Sequence, residues 1–239
     1  MKTFLVGITT YSSPAYIDLS LYYMTRYRQC DVIVLDDCSR DKKLMEVCQK
    51  YHVPMLSNRI HYTHYGNGDL NMMATIIEYA RENGYQYAVK QSRRWICLQN
   101  PFAALEDTIC ASGGYTFTNV TKTEHFGFRT EFIAFDAKAW YKNVPEMRKA
   151  VENDSHGLVE HYVHLLARKT QPPSALYHEY MESHPCGEGE DGYVKLDWMG
   201  TDRSHVPAGI LWHNTHQPSV YHRKAREVGL DYRKEDFEI

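Results

Sequence analysis

What this sequence lacks narrows its class before any motif is read. It has no long apolar run: the opening MKTFLVGITTY is interrupted by Gly7 and by threonines. Nothing later approaches the roughly 20 apolar residues of a membrane span, so neither a transmembrane segment nor a secretion signal is expected. It has no dominant charge, because 27 basic against 30 acidic side chains leave a net −3. A surface that tracks nucleic-acid phosphates would shift that balance to positive, so no nucleic-acid partner is expected. Its six cysteines (Cys30, Cys38, Cys48, Cys97, Cys110 and Cys186) form no C-x-x-C pair. That spacing predicts reduced, mostly buried thiols and a cytoplasmic location. Internal repeats and low-complexity tracts are absent as well.

What is present describes a globular protein with a full-sized core: 239 residues, 43% hydrophobic and 13% aromatic. Disorder is excluded by that composition. The length suits one α/β domain over 1–239 with a C-terminal elaboration. Short apolar runs alternate with helical patterns through the first half, which is how a parallel sheet with crossover helices is written. Strands are predicted over Thr3–Thr10, Asp31–Leu35, Pro54–Ser57 and Tyr85–Val89. Between them lie a helix from Ser13, with Ile17, Leu21 and Met24 on its buried face, and a second over Arg40–Tyr51 with Leu44, Val47 and Tyr51 on one side. A third helix is predicted from about Leu70 to Glu82 and ends at Gly84. The second half is less regular. Strands are expected over Gly114–Thr118 and Thr130–Phe135, a short helix over Ala137–Tyr141, and one or two helices between Met147 and Lys169. From Pro172 the pattern decays into a tail rich in proline, glycine and charge.

Polar clusters follow successive strands, and an open α/β sheet binds ligands at its strand carboxyl ends. Thr9 and Tyr11 follow the first strand, and Asp36 and Asp37 follow the second. A ring that stacks on a base, with a carboxylate that accepts from a base N–H or a ribose hydroxyl, is a nucleotide pocket in outline. A second reading stands beside it, in which Asp37 and Ser39 cap the next helix.

Three segments, VGITTYSSP (Val6–Pro14), VIVLDDCSRD (Val32–Asp41) and GNGDLN (Gly66–Asn71), resemble the GT-A glycosyltransferases of the family-two type, which use nucleotide-diphosphate sugars. The likeness extends more loosely through FRTEFIAFDAKAW (Phe128–Trp140) and covers about the first 170 residues. It implies a GT-A (Rossmann-like) α/β fold: an open, mostly parallel sheet flanked by helices, here with an irregular C-terminal extension. Residues 1–100 would form the nucleotide-sugar half, 101–185 the acceptor side and 186–239 a lid or extension. The positions matching Thr9, Tyr11 and Asp37 hold the base in that family. Asp36, Gly66 and Asn67 are placed with them as nucleotide-binding candidates.

One departure is informative. Where the family carries an Asp-x-Asp that holds Mg or Mn, this sequence has Lys90-Gln91-Ser92-Arg93-Arg94. A hard divalent cation needs anionic oxygen donors. Arginines in bidentate contact with phosphate oxygens can neutralise a departing diphosphate instead. The expectation is therefore transfer with no metal cofactor, with Arg93 and Arg94 on the diphosphate. The other reading makes Lys90 and Arg94 plain surface charges and the protein a non-catalytic nucleotide-sugar binder. Backbone N–H groups at the helix start near Gly66–Asp69 would favour the same anion, unless Asp69 is only a helix cap.

Inverting transfer also needs a general base near the acceptor hydroxyl, which belongs to a saccharide or another alcohol. The run His156–Lys169 would set His156, Glu160 and His164 on one helical face. It resembles the family's acidic-residue helix, with Glu160 nearest the catalytic carboxylate. The alternative makes this face the solvated side of an amphipathic helix. Asp191, in the run Gly187-Glu188-Gly189-Glu190-Asp191-Gly192, is the second candidate. His213 is a candidate diphosphate contact, because a late histidine lies by the diphosphate in some of the resembling enzymes.

Overall fold

The computed structural model describes residues 3–62, 66–112, 115–120, 130–170, 179–183, 193–197, 209–211 and 218–238. In its first half, β1 (Phe4–Thr10), α1 (Pro14–Met24), β2 (Cys30–Asp36), α2 (Lys42–Lys50), β3 (Met55–Ser57), α3 (Asn67–Glu82) and β4 (Tyr87–Ser92) alternate as the patterning predicts. Then come β5 (Ile96–Cys97), α4 (Phe102–Ser112), β6 (Thr116–Val120), β7 (Phe132–Asp136), α5 (Ala137–Trp140), α6 (Val144–Glu152) and α7 (Val159–Thr170). The described part of the tail contains β8 (Glu179–Ser183), β9 (Tyr193–Asp197), β10 (Gly209–Leu211), α8 (Pro218–Glu227) and a final 3-10 turn at Lys234–Phe237.

The strands are ordered β3-β2-β1-β4-β7-β6-β8-β9-β10-β5. From β3 to β4 they run parallel; β7 is antiparallel to both β4 and β6, and β6 pairs parallel with β8. Alternation along each strand sends side chains to two separate cores. Phe4, Val6, Ile8, Val32, Val34, Tyr87 and Val89 face one way, against Ile17, Leu21 and Met24 of α1, Leu44 and Val47 of α2, and Phe102 of α4. Leu5, Ile33, Leu35 and Ala88 face the other way, against α3, α5, α6 and α7. Each fully buried Ile or Leu adds about 1.5–3 kcal/mol, so the sheet is clamped from both faces.

Helix α1 departs from the amphipathic pattern that its sequence suggested. Ile17, Leu21 and Met24 are buried as expected, but Ala15, Tyr16 and Leu19 on its other side are buried too. They pack with Ile96, Val220, Tyr221, Ala225, Leu230 and Phe237 in a third cluster formed with the C-terminal residues. Tyr232 and Lys50 both donate to Asp18, a buried carboxylate in the middle of α1 that also accepts from Tyr51.

Two boundaries differ from the sequence expectation and matter for the site. β4 extends to Ser92, so Lys90 and Gln91 are inside the sheet rather than beyond it. α3 begins at Asn67 with Gly66 as its N-cap, three residues before the predicted start. Gly66 has φ +84°, which L side chains rarely adopt, and a Cβ there would stand 3.3 Å from Val159 Cβ at the start of α7. Among the described residues Cys30, Cys38, Cys48 and Cys97 are free thiols, and no helix is long and apolar enough to cross a membrane.

Candidate functional site

The parallel register aligns the carboxyl ends of three neighbouring strands. Thr10 of β1 is level with Asp36 of β2, and Thr9 is level with Ser92 of β4. The next residues, Tyr11, Asp37 and Arg93, therefore leave the sheet side by side. Backbone bonds fix the exits: Asp37 N–H donates to Thr10 O at 2.8 Å and Arg93 N–H to Thr9 O at 3.0 Å. Above them opens a cavity of about 480 Å³ lined by Thr9, Tyr11, Asp37, Gly66, Arg93 and Arg94 together with Thr10, His61, Tyr62, Gly68, Asp69, Met72 and Ser92.

The turns around the cavity are strained. Ser12 and Ser13 after β1, and Cys38 and Arg40 after β2, all have positive φ without being glycine, at a cost of about 1–2 kcal/mol each. They are held by side-chain bonds. Asp41 caps α2 by accepting from Lys43 N–H at 2.8 Å, and its other oxygen accepts from Ser12 Oγ at 2.6 Å, which ties the two turns together. Capping of α2 thus falls to Asp41, and Asp37 is left for the cavity.

Asp37 is buried and held by three contacts, which leave its carboxylate room for one further donor. Its Oδ1 accepts from Asn58 Nδ2 at 2.7 Å, while its Oδ2 lies 2.9 Å from His61 Nδ1 and accepts from Tyr62 N–H at 3.3 Å. Behind it, Asn71 donates to Asn58 at 2.8 Å, and Arg148 of α6 donates to Asn71 and to Glu78. This chain runs from the cavity to the far helix layer and keeps the carboxylate from turning. Tyr11 is 46% exposed and stacks on the His61 ring, with centroids 4.1 Å apart and planes 26° apart. The two rings form an aromatic wall of the kind on which a base can lie.

Gly68 explains how α3 comes so close. A Cβ at this position would lie 2.8 Å from Asp37 Oδ2. Gly68→Ala is accordingly expected to lower stability by about 1–3 kcal/mol through overpacking, read as a shift of the urea midpoint at constant slope. An unchanged midpoint would mean that helix and carboxylate separate freely.

The opposite wall is cationic. Arg93 is half-buried and donates through Nη1 to Tyr11 O at 3.2 Å. Burial first, and the adjacent Arg94 second, hold its guanidinium below its ordinary range. Among the described residues neither arginine has a carboxylate partner within salt-bridge distance. Lys90, by contrast, is no surface charge. It is 1% exposed, and its ammonium contacts Asp69 Oδ1 at 2.6 Å, Thr130 O at 2.6 Å and Ser92 Oγ at 3.1 Å. Asp69 is the third residue of α3, not its cap, and its carboxylate is neutralised from behind.

The remaining candidates lie as follows. Asp36 does not line this cavity: its Oδ2 accepts from Ser39 N–H at 2.8 Å and Ser57 Oγ at 3.3 Å, and it borders a neighbouring cavity with Asn58 and Arg148. Asn67 is buried beneath the site, bonded to His156 and to Asp154. α7 starts at Val159, so His156 precedes the helix and does not share a helical face with Glu160. Glu160 is half-buried in the first turn of α7, next to the Val159 that packs on Gly66, but it is not among the residues lining the cavity. Asp191 and His213 lie outside the described residues. Asn58 and His61 carried no functional signal in the sequence, since they sit in an aperiodic loop; Asp69 and Lys90 lay in segments that did, but their pairing joins distant parts of the chain that no spacing links.

No protein-family model and no curated protein matches the sequence. The structure superposes on S. aureus TarS 1–349 in complex with UDP-GlcNAc with a TM-score of 0.51, at 12% identity over 99% of this chain and 69% of that one. A second TarS structure gives the same score and identity over 99% of this chain and 41% of that one. GlyE, a glycosyltransferase in Streptococcus pneumoniae TIGR4, superposes at 0.49 with 10% identity over 71% of this chain and 44% of that one. In the UDP complex of TarS 1–349 the chain spans about half of that protein, 49%. At such identities the likeness is one of fold, and together with the strand order and a cavity at the strand carboxyl ends it gives this chain the GT-A fold.

Proposed function

We propose that the chain is a glycosyltransferase that moves a sugar from a nucleotide-diphosphate sugar to a hydroxyl of a saccharide or other acceptor, with inversion and without a metal cofactor. The observation that supports it is the meeting of Tyr11, Asp37, Arg93 and Arg94 in one cavity. Tyr11 with His61 offers a face for the base, Asp37 an anchored acceptor at its edge, and the arginines two cations for the diphosphate. A guanidinium about 4 Å from a phosphate charge contributes about 4 kcal/mol at an effective dielectric near 20. The bound diphosphate would also relieve the repulsion between Arg93 and Arg94.

A divalent ion suits this donor set poorly. The strand end presents Ser92, Arg93 and Arg94, Asp69 is already paired with Lys90, and Asp37 already has three donors. The same arginines that would stabilise a leaving diphosphate would repel Mg or Mn. On this reading Glu160 takes the proton from the acceptor hydroxyl. The freed oxygen attacks the anomeric carbon, the bond to the diphosphate breaks on the opposite face, and the leaving group departs against Arg93 and Arg94.

A thermal-shift screen of nucleotide-sugars with EDTA or Mn tests the donor side. One nucleotide at a hundredfold excess over its Kd should add about 2.7 kcal/mol, or roughly 5–10 °C for a chain of this size, and the shift should survive chelation. Arg93→Ala should weaken diphosphate binding about ten- to a hundredfold, the range of a charge-assisted hydrogen bond. Strict Mn dependence, or unchanged affinity in that variant, would remove the arginine mechanism. Binding without release of nucleotide to any acceptor would leave a non-catalytic nucleotide-sugar binder in glycan assembly.

A further inference from the structure

The Arg93–Arg94 turn is held by more than the sheet. Two of its backbone bonds are local or come from the neighbouring strand: Arg93 N–H to Thr9 O, and Trp95 N–H to Ser92 O at 3.0 Å. A third comes from far along the chain, where Tyr221 of α8 donates its hydroxyl to Arg94 O at 2.6 Å. We propose that Tyr221 is a positioning residue for the diphosphate site, through which the C-terminal residues set the geometry of both arginines. The inference rests on the donor reading given above.

The hydroxyl is aimed by packing. Tyr221 is fully buried, with its ring 4.7 Å from Tyr16 and 6.0 Å from Phe237. Tyr16 in turn donates to Phe237 O at 2.6 Å, which fastens the final 3-10 turn to α1. Val220, Ala225 and Leu230 are buried in the same cluster. The Tyr221 ring therefore has no room to swing its hydroxyl off Arg94. Burial keeps this phenol protonated far beyond neutral pH, so that it remains a donor.

The turn needs such a hold. Two adjacent guanidinium groups repel, and a two-residue connection between Ser92 and Trp95 would relieve that repulsion by splaying. Splaying would spread the cations before any phosphate arrived, and binding would then have to reassemble them. A fixed carbonyl at Arg94 removes that reorganisation, which is the advantage of a preorganised charge site. The C-terminal residues 218–238 thus act from behind the site as a buttress, without entering the cavity.

The test compares three full-length proteins (wild type, Tyr221→Phe and Tyr85→Phe) by calorimetric titration with UDP, inorganic pyrophosphate and uridine. Tyr221→Phe keeps the ring and removes only the hydroxyl. It should weaken UDP and pyrophosphate about three- to tenfold, as loss of one hydrogen bond allows, and leave uridine unchanged. Tyr85→Phe removes a phenol hydrogen bond, to Asp31 Oδ2 at 2.9 Å, just before β4 and so at the far end of that strand from the arginine turn; it should lower Tm with no change in pyrophosphate affinity. Unchanged UDP and pyrophosphate affinity in Tyr221→Phe would overturn the proposal. Equal weakening of all three ligands, or equal effects of the two variants, would reduce Tyr221 to a core residue and overturn it as well. If wild-type protein binds none of the three, the donor reading itself fails and this inference goes with it.

Discussion

Lys90→Met is expected to cost about 3 kcal/mol of folding stability, the lower end of the range for breaking a buried ion pair. Methionine matches the lysine stem in length, so little volume is lost. What disappears is an ammonium that serves three acceptors, Asp69 Oδ1, Thr130 O and Ser92 Oγ, from a position 1% exposed to solvent. Asp69 retains some water, with its side chain 25% exposed, which is why the higher end is not expected. Thr130 O loses the ammonium donor that lies 2.6 Å from it. Pairing the change with Asp69→Asn should recover about 1 kcal/mol or more, because the uncompensated charge is then gone. Urea unfolding of both variants decides the matter: a single-variant loss below about 1 kcal/mol would mean that the three contacts contribute little beyond what water would supply.

Glu160→Gln is expected to lower transfer by about 10²–10⁴-fold, the usual contribution of a general base, while donor affinity stays within error of wild type. The amide keeps shape and hydrogen-bonding capacity but cannot accept the acceptor's proton. The reading starts from its location: Glu160 lies in the first turn of α7, next to the Val159 that packs on the Gly66 lining the cavity, though it does not line the cavity itself. Product assay and nucleotide titration on the same preparation separate the two effects. Transfer at wild-type rate would move the assignment to Asp191, whereas loss of donor binding would make Glu160 structural.

Much of the first half of the fold was legible in the sequence because its information is local. Alternation and apolar runs mark β1, β2 and β4, and turn residues mark their ends. Parallel neighbours connected by helices then bring Tyr11, Asp37 and Arg93 to one edge. Local rules could not divide the work between Asp36 and Asp37. Adjacent residues leaving a strand point to different sides, and only the partners, Ser39 and Ser57 for one and Asn58 and His61 for the other, reveal which carboxylate faces the cavity. Nor could they predict that Lys90 is buried. A lysine beside two arginines reads as solvated until Asp69, Ser92 and Thr130 close around it. The helical pattern from His156 likewise ran three residues ahead of α7, because His156 is drawn onto Asn67 and Gly157 instead.

The sequence by itself determined the alternation of strands and helices, the polar residues at the strand ends and the cations Lys90, Arg93 and Arg94 near the end of the fourth strand, since these follow from residue type and spacing. Only the tertiary structure decided that His61 stacks on Tyr11, that a buried lysine backs Asp69, and that α8 holds the arginine turn from 127 residues away. Each of those contacts depends on the relative placement of segments that no periodicity links. It exists because packing the two faces of the sheet and both sides of α1 brings those distant segments together.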